Sequence, residues 1–208
     1  MIFSEEKISE LYQRVRGEMS DFRFSHTAGV EKAAILLGEL YMPEAIDELR
    51  VAALLHDITK ELSTEEHFSV MRKNGMAITQ NDIRSPKILH SKTAEFAVRE
   101  RYSEFATERV CQALRYHTTG NADMTVFDAL IYLADYIEET RKFEDCVRLR
   151  EYFWSADPQK MDKVQREKHL WKTVLLSLDM TVEDIERNAG YVSEETLYAR
   201  EAVSNRLL

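Results

Sequence analysis

The chemistry of this chain starts at the end of one apolar run. In Val51-Ala-Ala-Leu-Leu-His-Asp-Ile-Thr-Lys60, an almost wholly apolar helical stretch stops at His56-Asp57, and Lys60 follows three residues later. A helix that is apolar on every side is a buried one, and an unpaired carboxylate left there costs several kcal/mol. A divalent cation removes that cost, because it supplies the opposite charge and accepts both groups as ligands. The dipeptide therefore reads either as adjacent ligands to one ion or as a satisfied core histidine beside an N-cap-like aspartate.

The other histidines bear on that choice. His26 begins the stripe Val30, Ala33, Ala34 and Leu37, and His90 stands in the same relation to Ala94, Ala97 and Val98. His117 closes the stripe Ala106, Val110, Ala113 and Leu114, and Asp135 lies one turn after Ile131 in the most apolar part of another helix. At helical spacing these side chains share the inward faces of their helices. Four of the six histidines and two aspartates thus point inward from five helices, which packing alone seldom explains. His67, in Glu65-Glu66-His67, and His169, in Arg166-Glu167-Lys168-His169, are embedded in charge and are expected at the surface.

The elements that must position these groups follow from caps and periodicity. Ser4 caps a first helix through about Arg16, and Ser20 and Asp21 offer caps for the helix of His26. Arg23 lies one turn before His26, where its fork suits a phosphate or an ordinary surface ion pair. Pro43 starts the helix that delivers His56-Asp57, and beyond it Lys60 either balances a phosphate or pairs with Glu61. Ser63-Thr-Glu-Glu66 is a capping box for a helix that Asn74-Gly75 stops. Met76 to Lys87 reads as a loop or short turn, and Ser103 as the cap of the helix ending at His117. Thr118-Thr119-Gly120 then offers small donors for phosphate oxygens, or simply a helix end. A helix over about 125–139 carries Asp135, with Arg141 just past its negative C-terminus. Helices over 147–154 and 158–178 follow, with further caps at Thr181-Val-Glu-Asp184 and Ser193-Glu-Glu-Thr196. Trp154, Trp171 and the methionines are expected to fill the core.

Composition bounds the rest. Apolar spacing of three and four throughout, with no strand pattern, predicts an all-α fold. With 208 residues, three prolines, six glycines and no polar linker, residues 1–208 are expected to form one domain, with a helical extension over about 158–208 packed on the same core. A formal charge of −9 argues against nucleic acid and obliges any polyphosphate ligand to find local cations. Cys111 and Cys146 lack zinc spacing and fit a reducing cytoplasm, and neither a signal sequence nor a membrane span is expected. A homodimer is left open. The chain has no Glu-x-x-His, no His-Glu-x-x-His and no phosphate-loop glycine motif, which argues against ferritin-like di-iron bundles, zinc proteases and P-loop NTPases.

The order His26, His56-Asp57, Asp135 resembles the signature of the HD-domain superfamily. Five segments tighten the match: Arg23-Phe-Ser-His-Thr-Ala-Gly-Val30, Leu55-His-Asp-Ile-Thr-Lys60, Leu89-His-Ser91, Arg115-Tyr-His-Thr-Thr-Gly120 and Ile131-Tyr-Leu-Ala-Asp-Tyr-Ile-Glu138. Together they resemble the YqeK-type symmetrical bis(5′-nucleosyl)-tetraphosphatases from about Glu6 to Glu201. The resemblance implies an HD-domain helical bundle in which His26, His56, Asp57 and Asp135 bind a divalent metal. It implies cleavage of diadenosine tetraphosphate into two ADP by a metal-held water, with Asp57 or, by preference, Asp135 taking the proton. His90 and His117 are then ligands to a second ion or donors to the phosphates. Arg23, Lys60, Thr118 and Arg141 are expected near the phosphates. Thr196 and Arg200 belong to a C-terminal segment that reaches the nucleotide in the family; Glu201 stands where the family has asparagine, and an acid there would repel phosphate. A mixed nitrogen and oxygen shell suits iron or manganese, with cobalt a further option, and the resemblance favours iron. The alternatives are an HD phosphohydrolase on a mononucleotide or guanosine polyphosphate, and a nucleotide-binding HD protein without turnover.

Overall fold

A computed structural model describes residues 2–208. Among them are eleven α-helices and no strand: α1 (Glu5–Glu18), α2 (Asp21–Tyr41), α3 (Ile46–Leu55), α4 (Thr64–Lys73), α5 (Gln80–Arg84), α6 (Leu89–Arg101), α7 (Glu108–Tyr116), α8 (Val126–Ile137), α9 (Glu144–Ser155), α10 (Lys163–Arg187) and α11 (Glu194–Arg206). The all-α expectation holds.

The apolar run before His56 is α3, with Leu49 and Val51 to Leu55 fully buried. It packs against α2, α1, α7 and α8, and α2 packs on α8 as well. Its first turn carries two buried acids that would be costly if left bare. Asp47 accepts a bond from the Phe3 amide at 2.8 Å, and Glu48 is held by Thr107 at 3.0 Å and Arg109 at 2.8 Å. α8 is the second interior helix, opened by a capping box of Thr125 and Asp128. The carbonyls at its end are taken by Arg150, which reaches Ile137 O at 2.6 Å, and by Arg141, which reaches Asp135 O at 2.6 Å. Residues of α10 and α11, among them Leu170, Val174, Leu178, Ala199 and Val203, share the hydrophobic cluster built on α2, α3 and α8.

Several boundaries differ from the sequence reading, each for a local reason. Thr107, not Ser103, caps α7, accepting from the Val110 amide at 3.2 Å, while Ser103 opens a separate 3-10 turn. The weak stretch from Met76 to Lys87 holds the short helix α5, capped by Thr79 and Asp82. Thr181 caps nothing: α10 runs through it, and its hydroxyl bonds back to Ser177 O at 2.8 Å. α9 starts three residues earlier than expected, at Glu144. Trp171 is buried, and Trp154 is half-buried against the core.

His67 and His169 are not surface residues; they are 4% and 7% exposed. Their charged neighbours lie on other faces of the same helices. His67 Nδ1 meets Thr93 Oγ1 at 2.8 Å, and His169 stacks on Phe153 while its Nε2 meets Phe153 O at 3.0 Å.

A buried ion network fastens α11 to the helices of His90 and His117. Lys92 sits 2.6 Å from Asp82 and 2.9 Å from Glu195, and Arg115 is 3.1 Å from Glu195. Burial opposes ionisation of both acids, but Lys92, helped by Thr79 on Asp82 and by Arg115 on Glu195, holds both below the ordinary carboxylate range. Such groups contribute stability that is complete above the unfolded pKa, about 4, and is lost as pH falls through the lower folded value. Removing the cation leaves the buried Asp82 with no counter-charge, held only by Thr79, and leaves Arg115 as the cation on the half-buried Glu195. Lys92→Ala is accordingly expected to cost about 3–5 kcal/mol in chemical denaturation near neutral pH. The deficit should shrink on acidification through the carboxylate range; an unchanged denaturation midpoint at pH 7 contradicts the assignment.

Candidate metal centre

Each side chain of the centre sits at or near a helix end, so the helices set its position. His26 lies in the second turn of α2, whose start is fixed by Ser20 accepting from the Arg23 amide at 3.2 Å. His56 occupies the C-cap of α3, and tight turns over Asp57–Leu62 follow, with Lys60 N to Asp57 O at 2.9 Å. His90 lies in the first turn of α6, His117 at the C-cap of α7 and Asp135 near the end of α8. All six side chains are buried.

These ends converge. One ligand atom from each of His26, His56 and Asp57 lies within 4.8 Å of the others, and the same holds for His56, His117 and Asp135 and for Asp57, His90 and His117. His26 Nε2 is 2.9 Å from Asp135 Oδ1, and His56 Nε2 is 3.5 Å from Asp57 Oδ2. The other oxygen of Asp57, Oδ1, faces His90 Nε2 at 3.3 Å and His117 Nε2 at 3.7 Å. Asp57 thus turns one oxygen toward each histidine pair.

The outer nitrogens explain why the inner ones point together. His56 Nδ1 meets Ala53 O at 2.7 Å, His117 Nδ1 meets Leu114 O at 2.8 Å and His90 Nδ1 meets Lys87 O at 2.9 Å. A carbonyl can only accept, so these three rings donate through Nδ1 and a neutral ring presents Nε2 as a lone pair. His26 Nδ1 is 3.1 Å from Glu138 Oε1, which accepts in the same way. The Nε2 atoms of His90 and His117 stand 3.0 Å apart, and those of His26 and His56 3.3 Å apart. The lone pairs of His90 and His117, aimed at each other across that distance beside Asp57 Oδ1, suit a cation. The donor set is one that transition-metal ions accept, and the outer bonds are those that orient metal-binding histidines.

Comparison with known proteins agrees. The HD domain family profile matches residues 23–140. The chain belongs to the HD-domain family. Two curated relatives carry the name "Bis(5′-nucleosyl)-tetraphosphatase, symmetrical": that of Halalkalibacterium halodurans is 34% identical over 66% of this chain and 72% of its own, and that of Bacillus subtilis is 32% identical over 62% and 68%. Among solved structures, a protein of Clostridium acetobutylicum titled "predicted HD superfamily hydrolase involved in NAD metabolism" has a TM-score of 0.81 and 26% identity, covering 98% of both chains.

The electrostatics of the HD centre follow from burial set against neighbours. Burial disfavours the charge of His26, but the carboxylates of Asp135 and Glu138 outweigh it and raise the ring to about 9, so a metal ion must displace its proton. His90 is pushed well below the ordinary histidine value by burial, with Lys60 and His117 adding to it. His117 is lowered by burial and by His56. Burial works against ionisation of Asp57 and Asp135, yet both are held well below the usual carboxylate range, Asp57 by His56, His117 and Lys60, and Asp135 by Arg141 and His26.

Cations ring the mouth. Arg23 Nη1 is 2.6 Å from Asp57 Oδ2, Lys60 Nζ is 3.0 Å from His90 Nε2 and 3.9 Å from Asp57 Oδ1, and Arg141 pairs with Asp135. Arg141 therefore serves the α8 C-terminus and the site at once. Thr118 Oγ1 lies 3.1 Å from His90 Nε2. Of the C-terminal residues, Thr196 is buried on α11, Arg200 is held by Asp179 and Glu201 is exposed. What α11 brings toward His90 and His117 is Glu195, through Lys92 and Arg115.

Glu138 is the residue the sequence reading lacked. It is buried at the C-cap of α8, tied to Thr140 Oγ1 at 2.6 Å, and pressed against Gly29, where a Cβ would come within 2.3 Å of its Oε2. The available signal was an acid one turn after Asp135 facing a glycine one turn after His26. Glu138→Gln keeps the shape but weakens the acceptor for His26 Nδ1, and is expected to lower metal affinity about 10- to 100-fold with helix content unchanged. Calorimetric titration with manganese checks this, and equal affinities in both proteins would contradict it.

Proposed function

We propose that this HD-domain protein is a metal-dependent phosphohydrolase that splits diadenosine tetraphosphate at its centre into two ADP. The observation that carries the reading is the convergence of four histidine Nε2 atoms and two aspartates beneath a rim of Arg23, Lys60 and Arg141. The names of the curated relatives supply the substrate. His26, His56, Asp57 and Asp135 would hold the metal; the mixed donor set suits iron or manganese, and we assign iron because the family resemblance favours it. When bound, it supplies Lewis acidity to a phosphoryl oxygen and to water.

The chain's own residues do the rest. Arg23 and Arg141 neutralise Asp57 and Asp135 at the mouth, and their guanidinium forks can turn outward to take phosphate oxygens. Lys60 and Thr118 both donate toward His90, and we assign them to the phosphate chain. Water adds to one of the two central phosphorus atoms, the bridging P–O bond breaks, and the electron pair leaves with the second ADP. Asp135 is assigned as proton acceptor because its side chain is the less buried of the two acids, 11% exposed against 3% for Asp57. His90 and His117, with Asp57 Oδ1 between them, either take a second ion or donate to the phosphates. The two buried free cysteines, Cys111 and Cys146, fit a reducing cytoplasm.

The test is product analysis on iron- or manganese-loaded protein. Two ADP per dinucleotide is the expected outcome; AMP with ATP, or no turnover, contradicts it. His56→Ala removes a proposed ligand and is expected to lower kcat/KM by more than about 100-fold, beyond the loss from an outer hydrogen bond.

A further inference from the structure

Two large apolar side chains stand in solvent at the mouth of the centre. Phe22 is 81% exposed and Phe143 69%, and both line one cavity of about 600 Å³ whose walls include Arg23, His26, Lys60 and Arg141. Folding supplies no reason for either. Phe22 is in the first turn of α2, one turn before His26 on the same face, and packs into no core. Phe143 is the N-cap of α9 and makes no side-chain cap bond, a position where Ser, Thr, Asp or Asn is preferred. Seven other helices of this chain have a side-chain cap of that kind: Ser4, Ser20, Ser63, Thr79, Thr107, Thr125 and Asp162.

Each phenylalanine also travels with a site arginine. Phe22 precedes Arg23, which pairs with Asp57; Phe143 follows Arg141, which pairs with Asp135. An aromatic side chain beside an arginine of the site, occurring twice in the lining of one cavity, fits a ligand made of two identical halves. We infer that Phe22 and Phe143 are the two nucleobase platforms of the site, each stacking one base of the dinucleotide while the neighbouring arginine takes the phosphates. This rests on the nucleotide reading above and adds the residues that recognise the bases. Stacking on an aromatic ring is worth about 1–3 kcal/mol per base and accepts any base, so the platforms select nucleotides over bare polyphosphate.

The experiment measures KM for diadenosine tetraphosphate and the inhibition constant of inorganic tripolyphosphate, which has no base, in metal-loaded wild type, Phe22→Ala, Phe143→Ala and the corresponding Phe→Trp variants. At tenfold per 1.4 kcal/mol, each alanine should raise KM roughly 5- to 140-fold and leave tripolyphosphate inhibition as in wild type. The tryptophans should restore KM. If wild type turns over the dinucleotide but neither alanine changes KM, or if tripolyphosphate weakens in parallel, the platforms are overturned while the hydrolase reading stands. If wild type turns over no dinucleotide, the functional reading itself has failed and the platforms fall with it.

Discussion

The structure depends on one electrostatic constraint: imidazole lone pairs and carboxylates are forced together inside an apolar bundle. His90 and His117 are turned nitrogen to nitrogen at 3.0 Å, each locked from behind by a backbone carbonyl. Neither ring can flip without breaking its outer bond and burying an unpaired donor, which costs about 1–3 kcal/mol. The remaining way to make the cluster favourable is positive charge at its centre. Protons on the rings and the guanidinium groups at the rim supply part of it, and a divalent cation supplies it more fully.

That constraint explains how the helices end. His56, His90 and His117 each bond the carbonyl three residues earlier, so a single local geometry orients all three rings. His26, in the second turn of its helix, has no such carbonyl free, and Glu138 takes that part from the end of α8. The close approach of α2 and α8 that this needs is possible because residue 29 is glycine. Behind the rings a polar chain runs from His67 through Thr93 and Thr59 to the His90 carbonyl, and Lys92 ties the same helix, α6, to α5 and α11.

How much of this the sequence disclosed follows from how local each signal is. The inward placement of His26, His56, His90, His117 and Asp135 was readable because each lies on an apolar stripe of helical period. The capping box at Ser63 and the caps at Ser4 and Ser20 were readable for the same reason, being set by residues three apart. His67 and His169 misled because charge beside a residue in sequence says little about the face it occupies. Glu138 and the network of Lys92, Asp82 and Glu195 join residues far apart in the chain: the spacing of Glu138 from Asp135 is local, but its pairing with His26 is not, and no local pattern marks the Lys92 network. The C-terminal helix shows the same limit: the resemblance drew attention to Thr196 and Arg200, whereas Glu195 makes the ties to α6 and α7.

The account stands or falls on where a metal goes. Anomalous diffraction from crystals grown with iron or manganese should give a peak within about 2.0–2.3 Å of the Nε2 atoms of His26 and His56, with oxygens of Asp57 and Asp135 completing the shell. A protein that takes up no metal there, or whose histidines bind it through Nδ1 with the carbonyl bonds broken, would contradict the claim that the bundle is built to hold a cation at this point.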